Sequence, residues 1–187
     1  MDETVDRDGE GLAHAFFTGA NAPLLAELRK KTDAEQEREA LREAVGIKDE
    51  TFLRRLQALG VRPEAAVALV MVPLVLVAWG DGNLDEKERA AILDAARQRG
   101  VAAERMAGEL LKNGLAARPD PKLLPTWIAY ARRLWGRFTA DERWAMRENL
   151  LRSARQVAEA TGGLFGIGSK VSAGERKVLQ EIEAVLD

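Results

Sequence analysis

The sequence predicts an all-α fold: a compact helical bundle with two related helical hairpins around a buried central helix. Three observations lead to this prediction. Apolar residues recur through most of the chain at the three- and four-residue spacing of amphipathic helices. Glycines and Ser/Thr/Asp capping patterns stand where those periodic segments begin or end. Residues 65–79 are apolar on every helical face, and such a helix has to be surrounded by protein or by lipid.

The central apolar segment is expected to be buried in protein. It is shorter than the roughly 20 residues that a bilayer requires, Pro73 interrupts it, and Glu64 and Asp81 flank it. Pro63 suits the first turn of a helix, whereas Pro73 removes an interior hydrogen bond and is expected to kink the helix after Val72. No transmembrane segment is therefore predicted.

The composition argues against several classes of site. The chain has 187 residues, with 28 basic and 30 acidic side chains and a net charge of −2, so there is no overall attraction to nucleic acid or to an acidic membrane. It has no Cys, which excludes thiolate nucleophiles, disulfides and the usual structural zinc sites. The acidic N-terminus lacks the apolar stretch of a secretory signal, so a cytoplasmic location is expected.

We divide the chain at residue 60, with an N-terminal helical extension over residues 1–60 and the main helical domain over 61–187. The first 11 residues carry five acids and little to bury, so we expect them to be disordered. Residues 23–45 have the pattern of one long charged helix, with a capping-box pattern at 32–35 as a candidate internal break. Another helix is predicted over residues 49–59 and is ended by Gly60.

Further amphipathic helices are predicted in the second half of the chain. One follows the acidic turn, carries Ile92, Leu93 and Ala96 on one face and ends before Arg99 and Gly100. The others are expected over residues 101–112, 126–138 and 172–186, and from the capping-box pattern of Thr139 and Glu142 to Ala160. Asn113 and Gly114 are expected to form a left-handed cap, and residues 116–125, with three prolines, a connecting loop. Trp127, Trp135 and Trp144 fall at helical spacing and are predicted to be core residues.

An acidic turn follows the central helix and is the candidate ion site. Asp81, Asp85 and Glu88 offer the hard oxygen ligands that Ca²⁺ or Mg²⁺ prefers. The turn is not an EF-hand, because its sixth position is Glu86 rather than Gly and its twelfth is Ile92 rather than Glu. Asp85 and Glu88 also have the spacing of a capping box, which explains both residues without an ion. The two interpretations stay open.

A weak internal repeat relates this turn to a later segment. Leu84, Asp85, Glu88 and Arg89 align on Val171, Ser172, Glu175 and Arg176. Ser172 and Glu175 again have capping-box spacing, and each copy follows a helix rich in small and apolar residues. We therefore expect two related hairpins about a shared core, which would bring Glu175 close to Asp81 as a fourth candidate ligand.

This pattern resembles the TerB-like family, named for tellurite-resistance protein B. The family motif is an apolar helix followed by Asp-Gly-x-Leu-x-x-x-Glu, matched here by Asp81, Gly82, Leu84 and Glu88. The second copy keeps Val171 and Glu175 but has Gly168 where the acid would stand, and the resemblance covers residues 63–186. It implies an all-helical, divalent-ion-binding protein of a stress-response system that works with membrane-associated partners.

We therefore expect a non-enzymatic binding or adaptor module whose partners are other proteins. An enzyme is the first alternative, although the chain has three serines, one His and no suggestive carboxylate pair outside the turn. A nucleic-acid-binding protein is the second, because residues 118–155 hold nine Lys/Arg against four acids. Those arginines do not share one helix face, so a solvated, ion-paired surface is the simpler interpretation.

A glycine-rich segment, residues 162–168, is the remaining motif. It has the G-x-x-x-x-G spacing of a phosphate loop but lacks the following Lys-Ser/Thr, and a predicted helix precedes it instead of a strand. Nucleotide binding is therefore not expected. Leu164, Phe165 and Ile167 instead make the segment a candidate contact for a partner, or a segment that packs on the core.

Overall fold

Most of the residues that the structure describes are helical. The computed structural model describes residues 3–29, 34–84, 86–98, 105–162 and 172–187, and within these ranges it contains no strand, which confirms the predicted all-α class. The α-helices are α1 (Glu3–Phe16), α2 (Ala22–Leu28), α3 (Ala34–Val45), α4 (Glu50–Ala58), α5 (Pro63–Ala78), α6 (Glu86–Gln98), α7 (Arg105–Ala116), α8 (Leu123–Trp135), α9 (Ala140–Gly162) and α10 (Ala173–Leu186). A 3-10 helix, Gly19–Asn21, joins α1 to α2.

Helix α5 is the predicted apolar helix, and protein surrounds it. Fifteen of its 16 residues are buried, and it packs against α1, α3, α7, α8, α9 and α10. Pro63 stands in the first turn, as the sequence predicts, and the helix continues without a break through Pro73. Because neighbours cover every face of α5, a helix without an amphipathic pattern is stable here.

The proline inside α5 leaves one backbone acceptor without its normal partner. Position 73 would donate its N–H to the carbonyl of Leu69, but proline has no N–H. The indole Nε1–H of Trp127 in α8 donates to that carbonyl at 2.9 Å, and Trp127 is itself 0% exposed. A side chain from the neighbouring helix therefore satisfies a buried group that α5 cannot satisfy itself.

Two more tryptophans satisfy carbonyls near helix C-termini. Trp79 donates to the Gly114 carbonyl near the end of α7, and Trp135 donates to the Leu186 carbonyl at the end of α10. The last carbonyls of a helix have no intrahelical hydrogen-bond donor. Each of these indoles therefore supplies a donor that the helix end lacks. Trp144, by contrast, is 68% exposed, so the prediction that it lies in the core is wrong.

The prediction of a disordered N-terminus is wrong for the residues that the structure describes. Helix α1 begins at Glu3, and its Val5 is fully buried. The helix packs on α5 and α8, where ion pairs join Arg62 to Asp6 and Arg133 to Asp8. The apolar side chains of α1, α3 and α4 belong to the same core cluster as those of α5. Apolar side chains from both sides of residue 60 therefore share one core.

Other local predictions have mixed outcomes. The single helix expected over residues 23–45 is two helices, α2 and α3. The expected cap at Gly114 is wrong, because α7 continues to Ala116. A Cβ atom built on Gly114 would lie 2.5 Å from Cγ2 of Val75, so the missing side chain permits the close packing of α7 on α5. The capping box of Thr139 and Glu142 is confirmed, and Asp49 caps α4 by accepting the Phe52 N–H.

Among the described residues, no single helix is both long enough and apolar enough to cross a bilayer. Helices α4 and α5 have the length and hydropathy of a membrane span only when they are taken together, and they meet at a bend of 108°.

We expect Trp127→Phe to lower the free energy of unfolding by about 1–3 kcal/mol, because it leaves the buried Leu69 carbonyl without a donor. In a Pro73→Ala background, the restored backbone N–H supplies that donor, so the same change should cost about 1 kcal/mol less. Urea denaturation of the four proteins in this double-mutant cycle measures the difference.

Trp135→Phe is the control for this cycle, because its acceptor, the Leu186 carbonyl, does not depend on Pro73. Its cost should be the same in both backgrounds. Equal costs of Trp127→Phe in the two backgrounds would show that the indole does not replace the missing bond.

Candidate functional site

The acidic turn lies between α5 and α6 and is stabilised by its own carboxylate. Gly82 has a φ of +86°, a conformation that favours glycine, and its N–H donates to the Trp79 carbonyl. Asp81 is exposed, and its Oδ1 accepts the N–H of Asn83 at 3.0 Å. This bond is typical of a turn aspartate and gives Asp81 a structural role before any ion is considered.

The predicted second copy begins α10 with a complete capping box. The Ser172 hydroxyl accepts the Glu175 N–H at 3.1 Å, and Glu175 Oε2 accepts the Ser172 N–H at 2.7 Å. Glu175 is only 3% exposed. The capping interpretation of Ser172 and Glu175 is therefore confirmed.

The start of α10 contacts the chain at the turn, and a glycine lies on each side of this contact. A Cβ atom built on Gly174 would lie 2.1 Å from the Gly80 oxygen, and one built on Gly80 would lie 2.6 Å from Cα of Glu175. Contacts that short exclude side chains at both positions. The structure thus places the backbone of Glu175 against Gly80, next to the turn.

The rest of the predicted ion site cannot be assembled from the described residues. Asp85 lies outside them, and only the backbone of Glu88 falls within them. In the part of the chain that the structure describes, no three His, Cys, Asp or Glu side chains come close enough together to hold an ion. The set of Asp81, Asp85, Glu88 and Glu175 therefore stays a prediction.

A cleft that the sequence did not indicate lies beside the turn, and we call it the elbow cleft. It is formed by the end of α1, the 3-10 helix, the end of α7 and residues 117–123, and its volume is about 340 Å³. That volume falls in the range of small-molecule sites. Buried Phe16, Val75 and Leu123 give it an apolar lining.

Polar groups surround this apolar lining. Asn113 donates its amide N–H to Asn21 Oδ1 at 2.9 Å, and Asn21 is 6% exposed. The hydroxyl of Thr18 makes no capping bond to the 3-10 helix. Arg118 and Asp120 also line the cleft and are exposed. A cleft of this kind combines apolar contact area with groups that fix the orientation of a ligand.

Arg118 links the elbow cleft to the acidic turn. A Cβ atom built on Gly82 would lie 3.7 Å from Nη2 of Arg118, so the guanidinium lies over that glycine. Within the described chain, no hydrogen bond or ion pair engages Arg118. The positive charge of Arg118 disfavours the binding of a cation at the turn and favours the binding of an anion in the cleft.

The arginine-rich segment is partly neutralised by the protein itself. Arg133, Arg147 and Arg155 form ion pairs with acids on α1 or near the C-terminus, namely Asp8, Asp187 and Glu183. These contacts fit the ion-paired interpretation of the segment. The glycine-rich segment, residues 162–168, lies outside the described residues apart from Gly162.

A buried tyrosine is the described acid whose pKa is displaced most strongly. Burial, followed by the charges of Asp6, Asp8 and Glu64, raises the pKa of the Tyr130 hydroxyl well above its ordinary range. The hydroxyl has no hydrogen-bond partner among the described residues, and Tyr130 is 1% exposed. Tyr130 does not line the elbow cleft. Its raised pKa therefore reflects packing between α1, α5 and α8.

Sequence patterns could not reveal the elbow cleft, because it combines three separate stretches of chain. The sequence predicts residues 116–125 only as a connecting loop, whereas in the structure residues 117–122 connect the two helices and α8 already begins at Leu123. The one local signal is a charged pair, Arg118 and Asp120, on either side of Pro119. This pair indicates a cleft only because the end of α1 lies at the same surface.

We expect Gly174→Ala to lower the free energy of unfolding by about 1–3 kcal/mol, because its methyl group would overlap the Gly80 carbonyl. Gly11→Ala in α1 is the matched control, since a Cβ atom there would meet nothing within 4 Å. The control should raise stability by about 0.5–1 kcal/mol. Similar urea midpoints for the two variants would contradict the contact between α10 and the turn.

Comparisons with known proteins identified no relative of this chain. A scan against protein-family models, a search of curated proteins and a search of solved structures each gave no match. The resemblance to the TerB-like family therefore depends on the motif residues alone.

Proposed function

We propose that the protein is a non-enzymatic, TerB-like binding module and that the elbow cleft is its ligand site. The observation that carries the proposal is the exposed Arg118, which pairs with none of the described residues, on the rim of a cleft with an apolar lining. An exposed cation beside buried apolar groups suits a ligand that has both an apolar part and a charged part.

The arrangement around the cleft supports a binding role more than a purely structural one. The bond between Asn21 and Asn113 joins the 3-10 helix to α7, and Trp79 bonds to the Gly114 carbonyl nearby. Such bonds hold the walls of the cleft in place before a ligand arrives. Preorganised walls reduce the entropy that binding costs.

We also propose that a divalent ion, Ca²⁺ or Mg²⁺, tunes the module at the acidic turn. The contact between Gly80 and Gly174 supports the idea that the turn and the start of α10 act as one unit, and that the two capping-box hairpins are related copies around α5. Asp81 would be the exposed ligand of such an ion, although Arg118 opposes it.

The TerB-like resemblance extends the proposal to the cell. It suggests a cytoplasmic module of a stress-response system, such as tellurite resistance, with protein partners that include membrane-associated ones. The elbow cleft would then be the place where a ligand adjusts contact with those partners.

We expect small amphipathic fragments to shift the backbone amide resonances of Thr18, Asn113 and Arg118 in two-dimensional NMR spectra, because these residues line the elbow cleft. Ala117→Trp should abolish the shifts by filling the cleft. Its melting temperature should stay close to that of the wild type, because Ala117 is exposed.

Ala140→Trp is the control for this experiment, since Ala140 is an exposed alanine at the start of α9, away from the cleft lining. It should leave the shifts unchanged. Fragment shifts that cluster around exposed Trp144 instead, or the absence of any cleft shift, would contradict the proposed ligand site.

For the ion, we expect saturable heat when Ca²⁺ or Mg²⁺ is titrated into chelator-stripped protein, and loss of that heat in Asp81→Ala, because this change removes the exposed carboxylate. Arg118→Gln should bind the ion more tightly, since it removes a nearby like charge. Asp141→Ala, at an exposed acid of α9, is the control. No heat and no shift of the melting temperature at millimolar ion would leave the carboxylates with turn and capping roles only.

A further inference from the structure

We infer that the elbow cleft recognises a free α-amino acid with an apolar side chain, held between the Arg118 guanidinium and the Asp120 carboxylate. This inference rests on the proposed function of the cleft and adds the chemical class of its ligand. It follows from three properties of the described residues: the charges on the rim, the unused hydrogen-bonding groups and the apolar lining.

The rim carries one charge of each sign. Arg118 and Asp120 line the same cleft on either side of Pro119, and no ion pair joins them in the part of the chain that the structure describes. Proline fixes its own φ and so limits the conformations of this short stretch. Two opposite charges that line one cleft without pairing with each other complement a small zwitterion better than they complement a singly charged ligand.

Each charged group has the capacity to bind. The guanidinium presents N–H donors in a planar fork that suits a carboxylate, and within the described residues it has no acceptor. Oδ1 of Asp120 accepts the Lys122 N–H at 2.8 Å, which fixes the carboxylate in the loop. Oδ2 has no partner among the described residues and is available to an ammonium group.

The interior of the cleft matches the rest of such a ligand. Phe16, Val75 and Leu123 are each at most 5% exposed and provide an apolar surface for a branched or linear hydrocarbon side chain. The volume of about 340 Å³ accommodates a small molecule.

The experiment is calorimetric titration of the full-length chain with L-leucine, L-leucinamide and N-acetyl-L-leucine. Leucinamide lacks the carboxylate, and N-acetyl-leucine lacks the ammonium group. We expect L-leucine to bind and each analogue to bind at least about tenfold more weakly, because each leaves one charged group of the rim without a partner. Glycine, which lacks the apolar side chain, should also bind more weakly.

Two variants test which charged side chain binds which charged group of the ligand. Arg118→Gln should abolish the preference for leucine over leucinamide, and Asp120→Asn should abolish the preference for leucine over N-acetyl-leucine. Both positions are exposed, so the melting temperature should change little. Arg152→Gln, at an exposed arginine of α9, should bind like the wild type.

The outcomes separate this inference from the proposed function. If fragments shift the cleft amides but leucine gives no saturable heat, or binds no better than both analogues, the amino-acid assignment is overturned and the cleft remains a ligand site. If leucine binds but Arg118→Gln and Asp120→Asn leave both preferences intact, the assignment is also overturned. If neither fragments nor leucine reach the cleft, the proposed function fails too.

Discussion

The bond from the Trp127 indole to the Leu69 carbonyl is the constraint on which the rest of the structure depends. Helix α5 is covered on all sides, so no solvent reaches the acceptor that Pro73 leaves open. A donor has to come from a neighbouring helix, and this requirement fixes the position of α8 along α5. Helix α1 then lies against both, and Trp135, two turns after Trp127, holds the end of α10.

Local signals in the sequence predicted much of this architecture. Burial of α5 follows from its composition, and the helix starts after Asp49, Thr139 and Ser172 follow from capping chemistry that acts within four residues. These features depend little on distant parts of the chain. Pattern reasoning therefore suffices for them.

The predictions that were wrong concern residues whose roles depend on distant partners. Gly114 has the local sequence pattern of a helix end, but its missing side chain makes room for Val75 of another helix. Trp144 has helical spacing, but it lies opposite the buried Met146 on α9. The acidic start of α1 is helical, with Val5 buried and with Asp6 and Asp8 paired to Arg62 and Arg133. The elbow cleft belongs with these features, whereas the acidic turn beside it was visible in the sequence.

The contact between Gly80 and Gly174 also restricts which sequences can share this fold. Each position excludes a Cβ atom because the other backbone occupies the space, so a homologue that keeps the helix packing must keep both glycines or change them together with a shift of α10. Two glycines 94 positions apart, one after an apolar helix and one inside a Ser-x-x-Glu helix start, thus form a joint signature. A distant relative can be recognised by this pair of positions even where the surface acids have diverged.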